Sequence, residues 1–364
     1  MSVLAEPALA LLTLALCLVS PGGEPAQVTV PPELLARTSM PELSGIAWSP
    51  ALSRYLVISD DTGDKQQGTN HAPWLFTMSR DGALDPAPLP IAGLDKLNDA
   101  EGLCAGPDGS YFLATSHSHN RKGHDKAERR RLFHLTLAGR ELRILGTLDL
   151  ATAIAESGTV PPGGVDIEAL AFRAGELYVG LKAPQTTAGE ALILRVRDVL
   201  PALQTGRLEP GRIERFAAVP LRVASLASTA GQMNSAGQTS PAGPAAAVVQ
   251  GVSDMSFLPD GSMALLANSP KNMPVDGGGA LWWLRPGGAP KLLRRFAGLK
   301  PEGVTLTPDG KEMVIVFDHD RELPLWLRLP LPAEPAKEPA KAPAKEPAKA
   351  SAPAPRPAAS KPAR

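Results

Sequence analysis

The chain has 364 residues with 37 Lys/Arg, 37 Asp/Glu and two cysteines. Cys17 lies in an apolar N-terminal run, and Cys104 is then alone, which excludes an internal disulfide and a thiolate metal site in the rest of the chain. Setting aside a C-terminal tail with seven Lys/Arg and three Glu leaves 30 bases against 34 acids, a mildly acidic body that does not mark a specific nucleic-acid binder.

In chain order, residues 1–26 come first. Their apolar run, 8–19 (ALALLTLALCLV), is shorter than the roughly 20 residues a membrane span needs, so no transmembrane span is expected. It suits the apolar region of a secretory signal. No Lys or Arg precedes it, Glu6 does, and the bulky Leu16 before Cys17 argues against lipid attachment. The expected location is periplasmic or secreted, with a cytoplasmic protein as the alternative if the start is mis-assigned.

Residues 27–331 carry one pattern five times. The copies are PELSGIAWSPALSRYLVISDD from Pro41, DAEGLCAGPDGSYFLATSHSH from Asp99, DIEALAFRAGELYVGLKAP from Asp166, GVSDMSFLPDGSMALLANSP from Gly251 and KPEGVTLTPDGKEMVIVFDHD from Lys300. Self-similarity at long spacing indicates a repeat architecture. Each copy reads as two strands joined by a tight turn, at Pro107-Asp108-Gly109, Ala174-Gly175, Pro259-Asp260-Gly261 and Pro308-Asp309-Gly310. Third strands follow at 74–79, 131–137, 191–196, 280–284 and 325–329; fourth strands follow near 87–91 and at 141–148, 212–219 and 291–296. Four short antiparallel strands per unit make the blade of a β-propeller. The expected fold is therefore all-β, a single propeller of five blades. Six is the alternative, if 151–164 or 221–250 hides a degenerate unit. The fifth unit lacks a fourth strand, and 27–30 or 34–38 is expected to supply it and close the ring. Residues 332–364, with proline at about every fourth position, are read as a solvated extended tail.

The strand-end acids should meet at one face, where the long connections also emerge. Pairing each hairpin about its turn puts Glu101 opposite Ser116, Glu168 near Leu181, Asp254 near Ala267 and Glu302 near Phe317. The candidate ring is Glu42, Asp60, Asp99, Glu101, Asp166, Glu168, Asp254, Glu302 and Asp318. From it Asp99, Glu101, Asp166, Glu168, Asp254 and Glu302 are the candidate ligands of a hard cation, Ca²⁺ most naturally. The competing reading is that each acid accepts from backbone N–H groups and ties blades together. Lys182 stands among the acids as the one cation. The loop 116–131 (SHSHNRKGHDKAERRR) holds six Lys/Arg and three histidines, and is read either as an anion clamp or as a neutralising charged loop. His117, with Glu101, is the candidate catalytic group, a proton carrier. Lys182, His119, Arg121 and Asn268 are the candidate ligand-binding groups. Cys104 and the tryptophans Trp282, Trp283 and Trp326 read as core.

The runs SHSHNRK, VDIEALAF–LYVGLKAP, GVSDMSFLPDG–LLANSP and KPEGVTL–VIVFD, over roughly residues 41–329, resemble the bacterial family catalogued as domain of unknown function 3616. They are more distantly similar to the esterase-like phytase and SdiA-regulated propellers. The resemblance implies a β-propeller and points to Glu101, His117, Asp166, Glu168, Lys182, Asp254 and Glu302. It implies no established activity. Ala169 departs from the family pattern, where Gly usually follows the Glu. Two functions remain open. One is a monomeric propeller binding an ion, an anionic small ligand or a protein partner at the acidic mouth. The other is a metal-assisted hydrolase of an ester or phosphoester at the same mouth.

Overall fold

The computed structural model describes residues 23–36, 38–60, 72, 74–119, 122–124, 126–224, 247–269, 278–319 and 322–332. The N-terminal apolar run, the tail beyond Pro332 and Arg121 lie outside the described residues. No described helix is long and apolar enough to cross a membrane.

Five small antiparallel sheets form the five blades of a propeller. The innermost strands, here strand A of blades 1 to 5, are Leu43–Ser49, Ala100–Ala105, Asp166–Arg173, Gly251–Phe257 and Lys300–Leu306. Each A strand packs beside the next, and the fifth packs on the first. The core follows the same cycle. Five apolar clusters fill the gaps between successive blades, and the last of them sets Val314 and Val316 of blade 5 against Ile46, Tyr55, Val57 and Phe76 of blade 1. Trp282 and Trp283, neighbours on one strand, point into the two clusters on either side of blade 4, as alternation on a strand requires.

Blades 2 to 4 have four sequential strands each. In blade 5 the fourth strand comes from the N-terminal side: Ala26–Gln27 pairs with Leu325 and Trp326. The ring closes from the N-terminal side as expected, but through Ala26–Gln27, which overlaps the expected 27–30 only at its start, while the other expected segment, 34–38, begins in the short helix Pro32–Leu35. The tight A–B turns also form, with Gly109, Gly175, Gly261 and Gly310 all at positive φ.

Two expectations need correction. The segment near 87–91 is not the fourth strand of blade 1. Its end, Ile91–Ala92, runs parallel to Glu141–Leu148 on the outside of blade 2, and the outer edge of blade 1 is lined by residues 83–89 through a bridge from Met78 to Leu84 and the N–H groups of Asp85 and Leu89, which donate to the Thr77 and Leu75 carbonyls. Nor do the described residues form a sixth blade. Leu150–Ser157 is a helix, capped by Asp149 and ended by Gly158 at φ 66°, and Arg222–Ala224 with Ala247–Val249 is a lone two-stranded ribbon.

The sequence pattern also hid a recurrent irregularity. In every blade the A–B register slips by one residue near the start of strand A, leaving Ser44, Glu101, Glu168, Ser253 and Glu302 as bulges. Ser116 consequently bonds to the carbonyl of Asp99, and it is Ala100 that lies opposite Thr115. Asp254 lies opposite Leu266, not Ala267.

Small residues let the A strands approach at this level. A Cβ on Gly45 would sit 3.0 Å from the carbonyl of Glu101, and one on Gly303 would sit 3.1 Å from Gly45. The equivalent residue in blade 3 is Ala169, and Gly180 opposite it supplies the room, since a Cβ there would lie 2.8 Å from both the Ala169 methyl and Val252. Gly180→Ala should therefore overpack the blade 3–blade 4 contact and cost about 1–3 kcal/mol, read from urea unfolding. A cost below about 0.5 kcal/mol would show that the two blades are not in this contact.

Candidate functional site

The five bulges define one level of the mouth. Their residues divide into two hydroxyls and three acids, and the hydroxyls show what the level does structurally. Ser44 donates to the carbonyl of Ala100 in blade 2 at 2.6 Å, and Ser253 donates to the carbonyl of Pro301 in blade 5 at 2.8 Å. Each stitches its blade to the following one. The three glutamates at the equivalent places are 7 % exposed or less, so three carboxylates crowd a buried rim.

Two of them have a lysine. Lys182 ends strand B of blade 3 and reaches Glu168 at 2.8 Å, and Lys300 opens strand A of blade 5 and reaches both Glu302 and Asp318. Lys182 is thus not the one cation among the acids; Lys300 and Arg129 are there too. Burial alone would lower the Lys182 ammonium, but Glu168, Glu302 and Glu101 outweigh it and hold it above its ordinary value. Lys300 is raised for the same reason, with Glu302 and Asp318 overcoming burial.

Among the described residues Glu101 makes no such ion pair, although the Lys182 charge reaches it. Burial, then the charges of Glu168 and Asp60, push its carboxyl well above the usual range. Asp60, just past the end of strand B of blade 1, is raised to about 7 by burial and by Glu42. With Asp99 these two acids converge across the blade 1–blade 2 gap, and one ligand oxygen from each lies within 4.8 Å of the others. Asp99 sits at φ 62°, in the left-handed region that few residues other than Gly, Asn and Asp adopt. Asp60 was legible as a rim acid from its strand end. Its convergence with Asp99 and Glu101 was not, because the bulge sets that geometry.

The other expected ligands are placed differently. Asp254 lies one residue past the bulge of its blade. Its Oδ2 accepts the Val304 N–H at 2.6 Å, so it ties blade 4 to blade 5, in line with the competing structural reading. Glu168 and Glu302 are engaged by lysines. Asp166 acts electrostatically on Arg129. None of these four belongs to the converging group.

His117 is buried, with Nδ1–H facing the Thr115 carbonyl at 2.7 Å and Nε2 accepting from the Leu150 N–H at 3.3 Å. Burial lowers its pKa to about 4. Both nitrogens are committed to backbone, so the geometry gives His117 the work of pinning the 150–157 helix and not the proton carrying expected of it. His119 is exposed, and its ring edge packs near Gly164. Asn268 is buried at the mouth, donating to the Pro301 carbonyl at 2.9 Å. Burial holds the Cys104 thiol well above its ordinary pKa, which leaves it inert.

The basic loop contributes one residue that composition could not single out. Arg129 is buried beneath its loop; its guanidinium pairs with Asp99 and donates to the His119 carbonyl at 3.0 Å. Part of the loop therefore does neutralise the rim, from within it.

Neither a protein-family model nor a curated protein matches the sequence. Solved structures do. A glucose dehydrogenase is 17 % identical with a TM-score of 0.43, the match covering 84 % of this chain and 99 % of that one. A calcium-binding protein, regucalcin, from Agrobacterium tumefaciens is 13 % identical with a TM-score of 0.37, covering 84 % and 95 %. The hydrazine synthase of Kuenenia stuttgartiensis is 12 % identical with a TM-score of 0.36; the match covers 76 % of this chain and only 64 % of that one. None of the three bears on the chemistry of this mouth.

The Lys182–Glu168 pair gives a direct test of the rim. Their side chains are 9 % and 2 % exposed, so Lys182→Met strands a buried charge and should cost about 3–5 kcal/mol in denaturant unfolding. Adding Glu168→Gln should recover most of that loss. A loss under about 1 kcal/mol for the single variant would contradict a buried pair.

Proposed function

We propose that the propeller binds a hard divalent cation, calcium first among candidates, through Asp60, Asp99 and Glu101. On the same face Lys182, Asn268 and the 116–131 loop receive an anionic small ligand or a protein partner. The observation that carries this reading is the convergence of three acid oxygens within 4.8 Å. Three oxygens that near one another lie within about 2.8 Å of a common centre, so a small turn of the side chains brings all three to a calcium–oxygen distance of roughly 2.3–2.6 Å. Two facts support it. Asp60 Oδ1 is a buried oxygen that meets no donor among the described residues. The Asp60 and Glu101 carboxyls are raised by burial first and then by the charges of neighbouring acids, and a cation relieves the second of these.

An extracytoplasmic location fits this reading. The apolar run at residues 8–19 suits export, and calcium sites of extracellular modules work with Kd of roughly 10⁻⁴–10⁻³ M. The repeated motifs support placing the chain with the domain of unknown function 3616 family. Binding is preferred to hydrolysis because the expected proton carrier, His117, has both nitrogens engaged.

Calorimetric titration of EDTA-treated protein with CaCl₂ should give a saturable heat and a rise in melting temperature. Glu101→Gln should weaken binding at least about tenfold. Protein that shows neither heat nor stabilisation with calcium or manganese would sink the proposal. Calcium-dependent turnover of generic esters or phosphoesters, lost in Glu101→Gln, would move it to the hydrolase.

The pH dependence follows from Asp60. Its folded value of about 7 lies above the ordinary 3.8, so between those values the folded state binds more protons than the unfolded state. Ion-free protein should thus lose stability as pH rises through that window. Calcium binding should release protons and weaken by up to about tenfold per unit as pH falls below 7. Melting curves with and without calcium from pH 5 to 8 check both signs.

A further inference from the structure

We infer that His117 is an acid-released clasp: its neutral ring fastens the helix 150–157 to the end of strand B of blade 2, and protonation of Nε2 lets that helix go. The inference does not rest on the ion-binding reading above. It follows first from hydrogen-bond chemistry. The Thr115 carbonyl, 2.7 Å from Nδ1, can only accept, and the Leu150 N–H, 3.3 Å from Nε2, can only donate. One state of the ring satisfies both, the neutral tautomer with its proton on Nδ1. A proton on Nε2 sets two donors against each other where the ring is 4 % exposed, and leaves the Leu150 N–H without its acceptor. The backbone holds the ring to this place, since the His117 N–H donates to the Arg129 carbonyl at 2.7 Å.

The charges around the ring do not offset that conflict. Asp149 at the helix end favours the imidazolium and Arg130 from the adjoining turn opposes it, and these two pair with each other at 3.0 Å. Arg129, on the same turn, spends its guanidinium on Asp99. Asp166, next to the Ile167 N–H that donates to the Ser116 carbonyl, acts on Arg129. Burial therefore prevails and lowers the His117 pKa from 6.5 to about 4. Between those values the clasped form binds fewer protons than the open form, so the clasp is secure above 6.5 and weakens as pH falls toward 4. The helix has only eight residues and is held by packing: Leu150, Ala151, Ala153 and Ile154 are buried in the cluster between blades 2 and 3. Release uncovers that apolar face.

The test is hydrogen exchange of the full-length protein, read by mass spectrometry between about pH 7 and about pH 4.5 and corrected for the intrinsic exchange rate at each pH. Peptides covering 150–157 should lose protection roughly fiftyfold over that range, while strands Met263–Asn268 and Gly279–Leu284 of blade 4 keep theirs. His117→Gln, whose side-chain carbonyl can accept the Leu150 N–H and does not titrate, should flatten the profile. The imidazole NMR signal that His117→Gln deletes should titrate near pH 4 in wild type. Should His117→Gln fail to fold, His117→Asn takes its place, and the wild-type exchange profile decides by itself. A flat wild-type profile, a loss of protection shared with blade 4, an unaltered pH slope in the folded variant, or a His117 signal titrating near 6.5 would each overturn the inference. All four leave the ion-binding reading untouched.

Discussion

Everything at the mouth depends on how closely five inner strands can crowd a common axis. Side chains are the obstacle, and the fold removes them where crowding is worst: glycine follows the bulge in three blades, and Gly180 makes room where alanine takes that place. The bulge completes the arrangement. It inserts one unpaired residue per blade at the same height, and an unpaired residue can turn its side chain away from the ladder. Acids more than sixty residues apart in the chain, Glu101 and Glu168, thereby come to share one buried rim.

A rim of that kind would repel itself if left alone. The chain answers with three cations, each by a different route: Lys182 at the end of a B strand, Lys300 at the start of an A strand, and Arg129 from a connecting loop. Buried pairs of this sort add little net stability, because the loss of hydration offsets most of the attraction. Their use here is to hold opposite charges at set places. Glu101 and Asp60 are left out of that pairing and carry the raised carboxyl values. The part of the mouth least well neutralised by the protein itself is therefore the part where three oxygens converge.

Much of this was legible in the sequence, and for simple reasons. Tight turns with Gly at positive φ declare themselves in the Pro-Asp-Gly triplets, five hairpins of like pattern give the blade count, and the missing fourth strand of the last unit foretells closure from the N-terminal side. What stayed hidden depends on contacts between blades. The bulges have no local signature, so straightforward hairpin pairing missed the one at Ser253, misplaced Asp254 by one residue and treated it as a rim acid. The same limit applies to His117: a histidine in a basic loop reads as chemistry until the Leu150 N–H, from a segment 33 residues away, is found against it. Arg129 is one of three consecutive arginines, and only the fold shows which of them turns inward.

The five blades are alike in shape but unlike in what they present at the rim. Blade 1 contributes Glu42 and Asp60 and blade 2 Asp99 and Glu101, whereas the equivalent places in blade 4 hold Gly251, Ser253 and Asn268. Such a layout gives the opening a transverse dipole. A cation drawn along the propeller axis would feel a sideways pull toward blades 1 and 2, so the place of capture lies off-centre.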